Sequence, residues 1–94
     1  MRRAARVDRN HASVLQAAAD VGAQILDTHA LPGCLDALVA FRGRLHLVEI
    51  KMPSERNALT PKERETIERL TLAGCPPLVV TTADELLCAI GAMR

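Results

Sequence analysis

Two aliphatic runs on either side of a short basic turn dominate the middle of the chain. Residues 36–41 and 45–51 are rich in Leu, Val and Ile, and Arg42-Gly43-Arg44 separates them. Runs of this length joined by a turn that contains glycine are typical of a β-hairpin. The sequence therefore predicts two antiparallel strands, and the rest of the fold must be built around them.

The length of the turn decides which polar side chains of the hairpin meet. If Arg42-Gly43 is a two-residue turn, Asp36 lies directly opposite Glu49. A loop two residues longer would place Asp36 opposite Lys51 instead. Side chains two apart in a strand share a face, so both alternatives put these three ionisable groups on one side of the sheet. Only an odd slip in the register would separate them.

Capping signals and the spacing of apolar residues predict the elements around the hairpin. These elements are helices over 10–21, 61–73 and 83–90 and strands over 23–28 and 78–81. Asn10 is the expected N-cap of the first helix. Glu63 follows the Thr60 cap by three residues, and this capping role accounts for it without catalysis. The order α-β-β-β-α-β-α predicts an α/β (α+β) fold with a central mixed sheet flanked by helices.

Length and composition limit the number of domains and the ways in which the chain could bind nucleic acid. The chain has 94 residues, enough for one domain over 1–94 with a modest core. Phe41 is its only aromatic residue, which argues against a protein that binds nucleic acid by stacking bases. Residues 1–9 carry four arginines and one aspartate, so this basic arm suits either contact with phosphates or a solvated terminus.

Other features point to a reduced, intracellular environment. The three cysteines have no paired spacing that a zinc site requires, so they are expected to be reduced thiols. The N-terminus lacks the apolar segment of a secretory signal, and no stretch is long and apolar enough for a membrane span. A soluble, cytoplasmic protein without membrane contact is expected.

The polar face of the hairpin suggests a metal site. Two carboxylates about 5 Å apart repel by about 3 kcal/mol at an effective dielectric of about 20, which calls for a nearby cation. Lys51 supplies one positive charge against the negative charges of Asp36 and Glu49. A hard divalent cation such as Mg²⁺ would supply the rest. The alternative is that Asp36 belongs to a turn and that the other two residues form the solvated face of an edge strand.

Four segments together resemble the PD-(D/E)xK nuclease superfamily. These segments are Arg6 to His11, Gly33 to Val39, Leu47 to Lys51 and Leu59 to Pro61. Within the superfamily, the chain is similar to small phage-type VRR-NUC-like and Holliday-junction-resolvase-like nucleases. The resemblance implies a restriction-endonuclease-like αβββαβ core.

The resemblance also implies roles for individual residues. Asp36, Glu49 and the carbonyl of Ile50 would bind Mg²⁺, with Mn²⁺ as a substitute, and Lys51 would assist the attacking water. The chain departs from the family pattern at Leu35, where the motif has proline. It also has no glutamate in the first helix, where Asn10 and His11 are the candidates for an auxiliary role.

The function implied is a metal-dependent DNA endonuclease that selects branched, flapped or junction DNA. Arg6, Arg9, Arg42 and Arg44 are the candidate DNA-binding residues. A homodimer acting in a bacterial or phage-infected cell would provide two sites for two-strand cleavage. The alternative is a catalytically inactive nuclease-like module that binds nucleic acid or a protein partner.

Overall fold

The structure is a computed structural model that describes residues 10–31, 35–55 and 58–93. The helices of this part are α1 (His11–Asp20), α2 (Pro61–Leu72) and α3 (Ala83–Ile90), with a 3₁₀ turn at Pro53–Glu55. The strands are β1 (Gln24–Asp27), β2 (Ala37–Phe41), β3 (Arg44–Ile50) and β4 (Leu78–Val80). None of the helices in the described ranges is long and apolar enough to cross a membrane.

The described strands form one mixed sheet in the order β1-β2-β3-β4. The first three strands are antiparallel to their neighbours, whereas β4 runs parallel to β3. A parallel neighbour needs a long crossover, and α2 lies within the connection from β3 to β4. The predicted order of elements and the α+β class with a mixed sheet are both confirmed.

The hairpin turn consists of two residues with positive φ. Arg42 has φ 50° and Gly43 has φ 82°, so that Phe41 pairs with Arg44. Positive φ at both central positions matches the twist of the flanking strands. The two-residue alternative is therefore confirmed, and the longer loop is wrong.

We predict that Gly43→Ala destabilises the protein by about 1–2 kcal/mol, the usual cost of a left-handed backbone for a residue with a Cβ. An added Cβ at Gly43 would meet no atom within 4 Å, so the cost arises from the backbone alone. Urea unfolding measures the loss, with the exposed neighbour Arg44→Ala as the control, which should stay within about 0.5 kcal/mol of the parent. Equal stability of the two variants would contradict the prediction.

The two faces of the sheet are covered differently. Val39, Val48 and Ile50 point to one face, where they are buried with residues of α1 and α3 such as Val14 and Leu86. This face contains the core. It also orients the hairpin, because alternate side chains of β3 must then point the other way.

The opposite face is only partly covered by α2, which has no buried residue. A cavity of about 440 Å³ is lined by Leu38 and Leu47 of the sheet and by Leu70 of α2. Leu26 and Leu45 are each 62% exposed. Glu49 shares this face with Leu47, so α2 and the apolar row lie beside the predicted site.

Candidate active site

The predicted acidic residues lie at one end of the sheet, where several elements begin or end. Asp36 immediately precedes β2, Glu49 is the penultimate residue of β3, and Lys51 follows that strand. Because Ala37 pairs with Val48, the same register brings Asp36 to the level of Glu49. The hairpin therefore brings together the three residues predicted from the sequence.

Lys51 connects the two acids nearest to it. Its Nζ lies 2.8 Å from Oε1 of Glu63 and 3.8 Å from Oε2 of Glu49. The side chains of Lys51 and Glu49 are only 13% and 5% exposed. The ammonium of Lys51 thus makes its close ion pair with Glu63. Its contact with the more deeply buried carboxyl of Glu49 is longer.

A backbone hydrogen bond holds the Asp36 carboxylate beside β3. The backbone N–H of Ile50 donates to Oδ2 of Asp36 over 2.6 Å. Burial raises the pKa of Asp36, and although this hydrogen bond acts in the opposite direction, the net pKa lies above its usual value. The other carboxylate oxygen of Asp36, Oδ1, takes no part in the hydrogen bond from Ile50.

Glu49 has the most perturbed carboxyl of the cluster. Burial raises its pKa, the charge of Asp36 raises it further, and hydrogen bonding and charge from Glu63 add to both effects. The opposing charge of Lys51 is insufficient, and the pKa of Glu49 reaches about 8. Without an additional cation, this acid therefore keeps its proton near neutral pH.

Glu63 belongs to the same cluster, which the sequence interpretation missed. The predicted capping box is present: Glu63 N–H donates to Oγ1 of Thr60 over 3.1 Å, and Thr60 N–H donates to Oε1 of Glu63 over 2.9 Å. The same Oε1 also accepts from Lys51. Burial raises the pKa of Glu63, but the hydrogen bonds from Lys51 and Thr60 outweigh it and lower the net pKa. Capping alone therefore does not account for this residue.

Asn10 links the first helix to the strand ends. It occupies the N-cap position of α1, as predicted, although its side chain makes no capping hydrogen bond. Its backbone is helical rather than extended, and its Nδ2 instead donates to the carbonyls of Lys51 (3.2 Å) and Thr81 (3.0 Å). These bonds hold the segment that carries Lys51 against α1 and the end of β4.

We predict that Asn10→Ala destabilises the protein by about 1–2 kcal/mol, because two hydrogen bonds worth about 0.5–1.5 kcal/mol each are lost. Asn10→Asp should cost a similar amount, since a carboxylate cannot donate to the two carbonyls. The control is Ser13→Ala, which removes an exposed hydroxyl that donates to the Asn10 carbonyl. Chemical denaturation of the three variants measures the free energy of unfolding. An Asn10→Ala variant that is as stable as Ser13→Ala would refute the prediction.

Of the other predicted residues, His11 lies close enough for its charge to act on Asp36, whereas the arginines lie apart from the cluster or outside the described residues. His11 is buried and its Nε2 contacts Oδ2 of Asp27 at 3.2 Å. Arg42 and Arg44 are exposed at the hairpin tip, and the rise of a strand puts Arg44 about 16 Å along β3 from Glu49. The guanidinium of Arg42 instead covers the ring of Phe41 at 4.9 Å from its centroid.

Two further predictions fall on residues that the structure does not describe. Arg6 and Arg9 lie in residues 1–9, outside the described ranges. Residues 32–34, which precede Asp36 and which bear on the alternative that Asp36 belongs to a turn, also lie outside them. The predicted contact of the basic arm with DNA therefore stays a prediction.

The chain was compared with family models, with curated proteins and with solved structures, and no match was found. The resemblance to PD-(D/E)xK nucleases thus rests on the motif residues themselves.

Proposed function

We propose that Asp36, Glu49, Lys51 and Glu63 form the active site of a Mg²⁺-dependent DNA endonuclease. The observation that carries the proposal is the buried carboxyl of Glu49, which shares its surroundings with two further carboxyl groups and one ammonium group. Burying a carboxylate without full compensation is costly. A fold tolerates such a group most readily where a ligand neutralises it.

The donor set fits a hard divalent cation. With all groups ionised, three carboxylates and one ammonium leave an excess of negative charge, and carboxylate oxygens are the ligands that Mg²⁺ prefers. Asp36 and Glu49 would hold the ion, with the carbonyl of Ile50 as a further ligand and Mn²⁺ as a substitute. When bound, such an ion lowers the pKa of a water molecule and neutralises charge on a phosphate.

The environment of Lys51 favours a role as a charged donor rather than as a general base. Burial lowers its pKa, but the hydrogen bond and charge of Glu63 and the charge of Glu49 raise it by more, and the net pKa lies above its usual value. A lysine that stays protonated can donate to phosphoryl oxygens on which charge develops. Glu63, anchored by the cap of α2, is then the positioning residue for this ammonium.

The direct test is cleavage of a panel of labelled DNA structures: duplex, nicked, flapped and four-way junction, with a single-stranded RNA beside them. We expect cleavage of DNA in Mg²⁺ or Mn²⁺, none in EDTA, and none by Asp36→Asn. Asp84→Asn is the matched control, because Asp84 is exposed in the first turn of α3 and should be dispensable. Absence of cleavage under every condition by folded protein would leave the inactive-module alternative.

A homodimer is part of the same proposal. The exposed leucines at 26 and 45 lie on the sheet face beside the acidic cluster, and burying such residues between subunits is favourable. Analytical ultracentrifugation tests it. The double variant Leu26→Lys with Leu45→Lys should be monomeric, and a parent that is already monomeric at micromolar concentration would refute the dimer.

A further inference from the structure

A second group of ligating side chains lies on the other side of the sheet. His11 comes from the first turn of α1, Asp27 is the last residue of β1, and His29 follows in the next turn. One potential ligand atom from each residue lies within 4.8 Å of the other two. Asp27 pairs with Ala37 of β2, and the side chains of paired residues lie on the same face of the sheet. Ala37 is buried in the core, so this group lies on the core face and not on the face that carries Glu49.

Both imidazoles are directed at one carboxylate. Nε2 of His11 lies 3.2 Å from Oδ2 of Asp27, and Nδ1 of His29 lies 2.7 Å from Oδ1. The two rings are tilted, with centroids 4.9 Å apart. Burial raises the pKa of Asp27, but hydrogen bonds from His29 and the charge of His11 outweigh it, and the net pKa is lowered. The carboxylate therefore stays ionised between two nitrogen donors.

His11 has an unsatisfied nitrogen within this arrangement. Its side chain is 4% exposed, and its buried Nδ1 has no hydrogen-bond partner among the described residues. Buried polar atoms in native proteins nearly always have partners, so a buried imidazole with one orphaned nitrogen calls for an explanation. Because Nδ1 makes no hydrogen bond in the described part of the chain, it can carry the ring proton when a ligand binds, which leaves the lone pair of Nε2 free for that ligand.

The group is open to solvent on one side. His11, Asp27 and His29 all line a surface cavity of about 390 Å³, together with Ala12 and Ile25. The side chains of Asp27 and His29 are 47% and 34% exposed. A small ion could therefore enter from the cavity, and water in the cavity could occupy any coordination position that the protein leaves open.

We infer that His11, Asp27 and His29 bind a divalent transition-metal ion of the zinc type, at a site separate from the acidic cluster. Two imidazole nitrogens and one carboxylate oxygen suit Zn²⁺ or Co²⁺, whereas Mg²⁺ prefers oxygen donors alone. Donor atoms around tetrahedral zinc lie about 3.4 Å apart, so donors within 4.8 Å need only small side-chain rotations. Three protein ligands leave the fourth position facing the cavity.

Calorimetric titration of the metal-free protein with Zn²⁺, with its thiols blocked by alkylation, tests the site. We expect one ion per chain, and we expect His29→Gln and Asp27→Asn to weaken binding by more than about 10-fold, because even second-shell changes cost about 10–100-fold. Both altered side chains are partly exposed, so these variants should fold, and circular dichroism of the metal-free proteins checks this. Co²⁺ absorption spectra supply a second readout of ligand geometry.

Two controls make the test decisive. His46→Gln changes the third histidine of the chain and should bind Zn²⁺ like the parent. Asp84→Asn should also bind normally, because this exposed carboxylate in the first turn of α3 belongs to neither group of ligating side chains. No stoichiometric binding by the parent, unchanged binding in both His29→Gln and Asp27→Asn, or equal weakening in Asp84→Asn would each overturn the inference.

Discussion

Replacing Lys51 by Met is expected to lower the maximal rate of DNA cleavage by about 100- to 1,000-fold, the usual cost of losing one preorganised donor to developing charge. Methionine keeps much of the apolar stem while removing the ammonium that lies 2.8 Å from Glu63. Because this donor acts on charge that develops during the reaction, the loss should appear mainly in kcat and less in KM. Steady-state kinetics on the best DNA substrate of the panel measures it.

Glu63→Gln separates positioning from chemistry in the same assay. The amide can still interact with Lys51 but no longer carries the charge, so we expect a smaller loss of about 10-fold, within the usual range for supporting residues. Thermal melting of both variants in Mg²⁺ shows whether the fold survives. If folded Lys51→Met cleaves DNA at the parental rate, Lys51 has no catalytic role and the assignment of this site is wrong.

In EDTA, the melting temperature of the protein is expected to fall as the pH rises from about 6.5 to about 8. The folded state raises the pKa of Glu49 from 4.5 to about 8, so between these values it holds a proton that the unfolded chain has released. The stability from this proton is fully present below pH 4.5 and is lost as the pH rises through about 8. Asp36, whose pKa is also raised, acts in the same direction at lower pH.

Other titrating groups determine the pH range in which the fall in melting temperature due to Glu49 is clearest. Burial, with the charge of Arg44, lowers the pKa of His46 below 6.5, so His46 increases stability as the pH rises towards 6.5 and opposes Glu49 there. Glu63 has a lowered pKa, and its contribution is lost only below 4.5. Above pH 6.5 the decline therefore reports mainly on Glu49.

Mg²⁺ should reverse the decline, because a ligand that binds only the folded state stabilises it by mass action. Glu49→Gln, which cannot ionise, should show a nearly flat melting temperature from pH 6.5 to 8 and little response to Mg²⁺. Differential scanning calorimetry with the parent and this variant, each in EDTA and in Mg²⁺, gives all four curves. A parent whose stability is flat in EDTA, or a variant that declines as steeply, would contradict the prediction.

Features that depend on neighbouring residues were predictable from the sequence. The turn at Arg42-Gly43 requires two positive φ angles, and once its length is known the alternation of a strand brings Asp36, Glu49 and Lys51 together. The helix boundaries follow from caps and glycines a few residues away. These rules are local because steric limits and hydrogen bonds within one turn or one hairpin do not depend on the rest of the molecule.

Contacts between distant segments were decided only when the elements packed. Glu63 reaches Lys51 because α2 lies over the sheet face that carries Glu49, and Asn10 donates to carbonyls 41 and 71 residues away. The grouping of His11 with Asp27 likewise depends on how α1 lies against β1. No spacing rule in the sequence encodes such contacts. They arise because the aliphatic face of the hairpin is buried beneath α1 and α3. This burial determines where the polar side chains of the hairpin and of the two helices must lie.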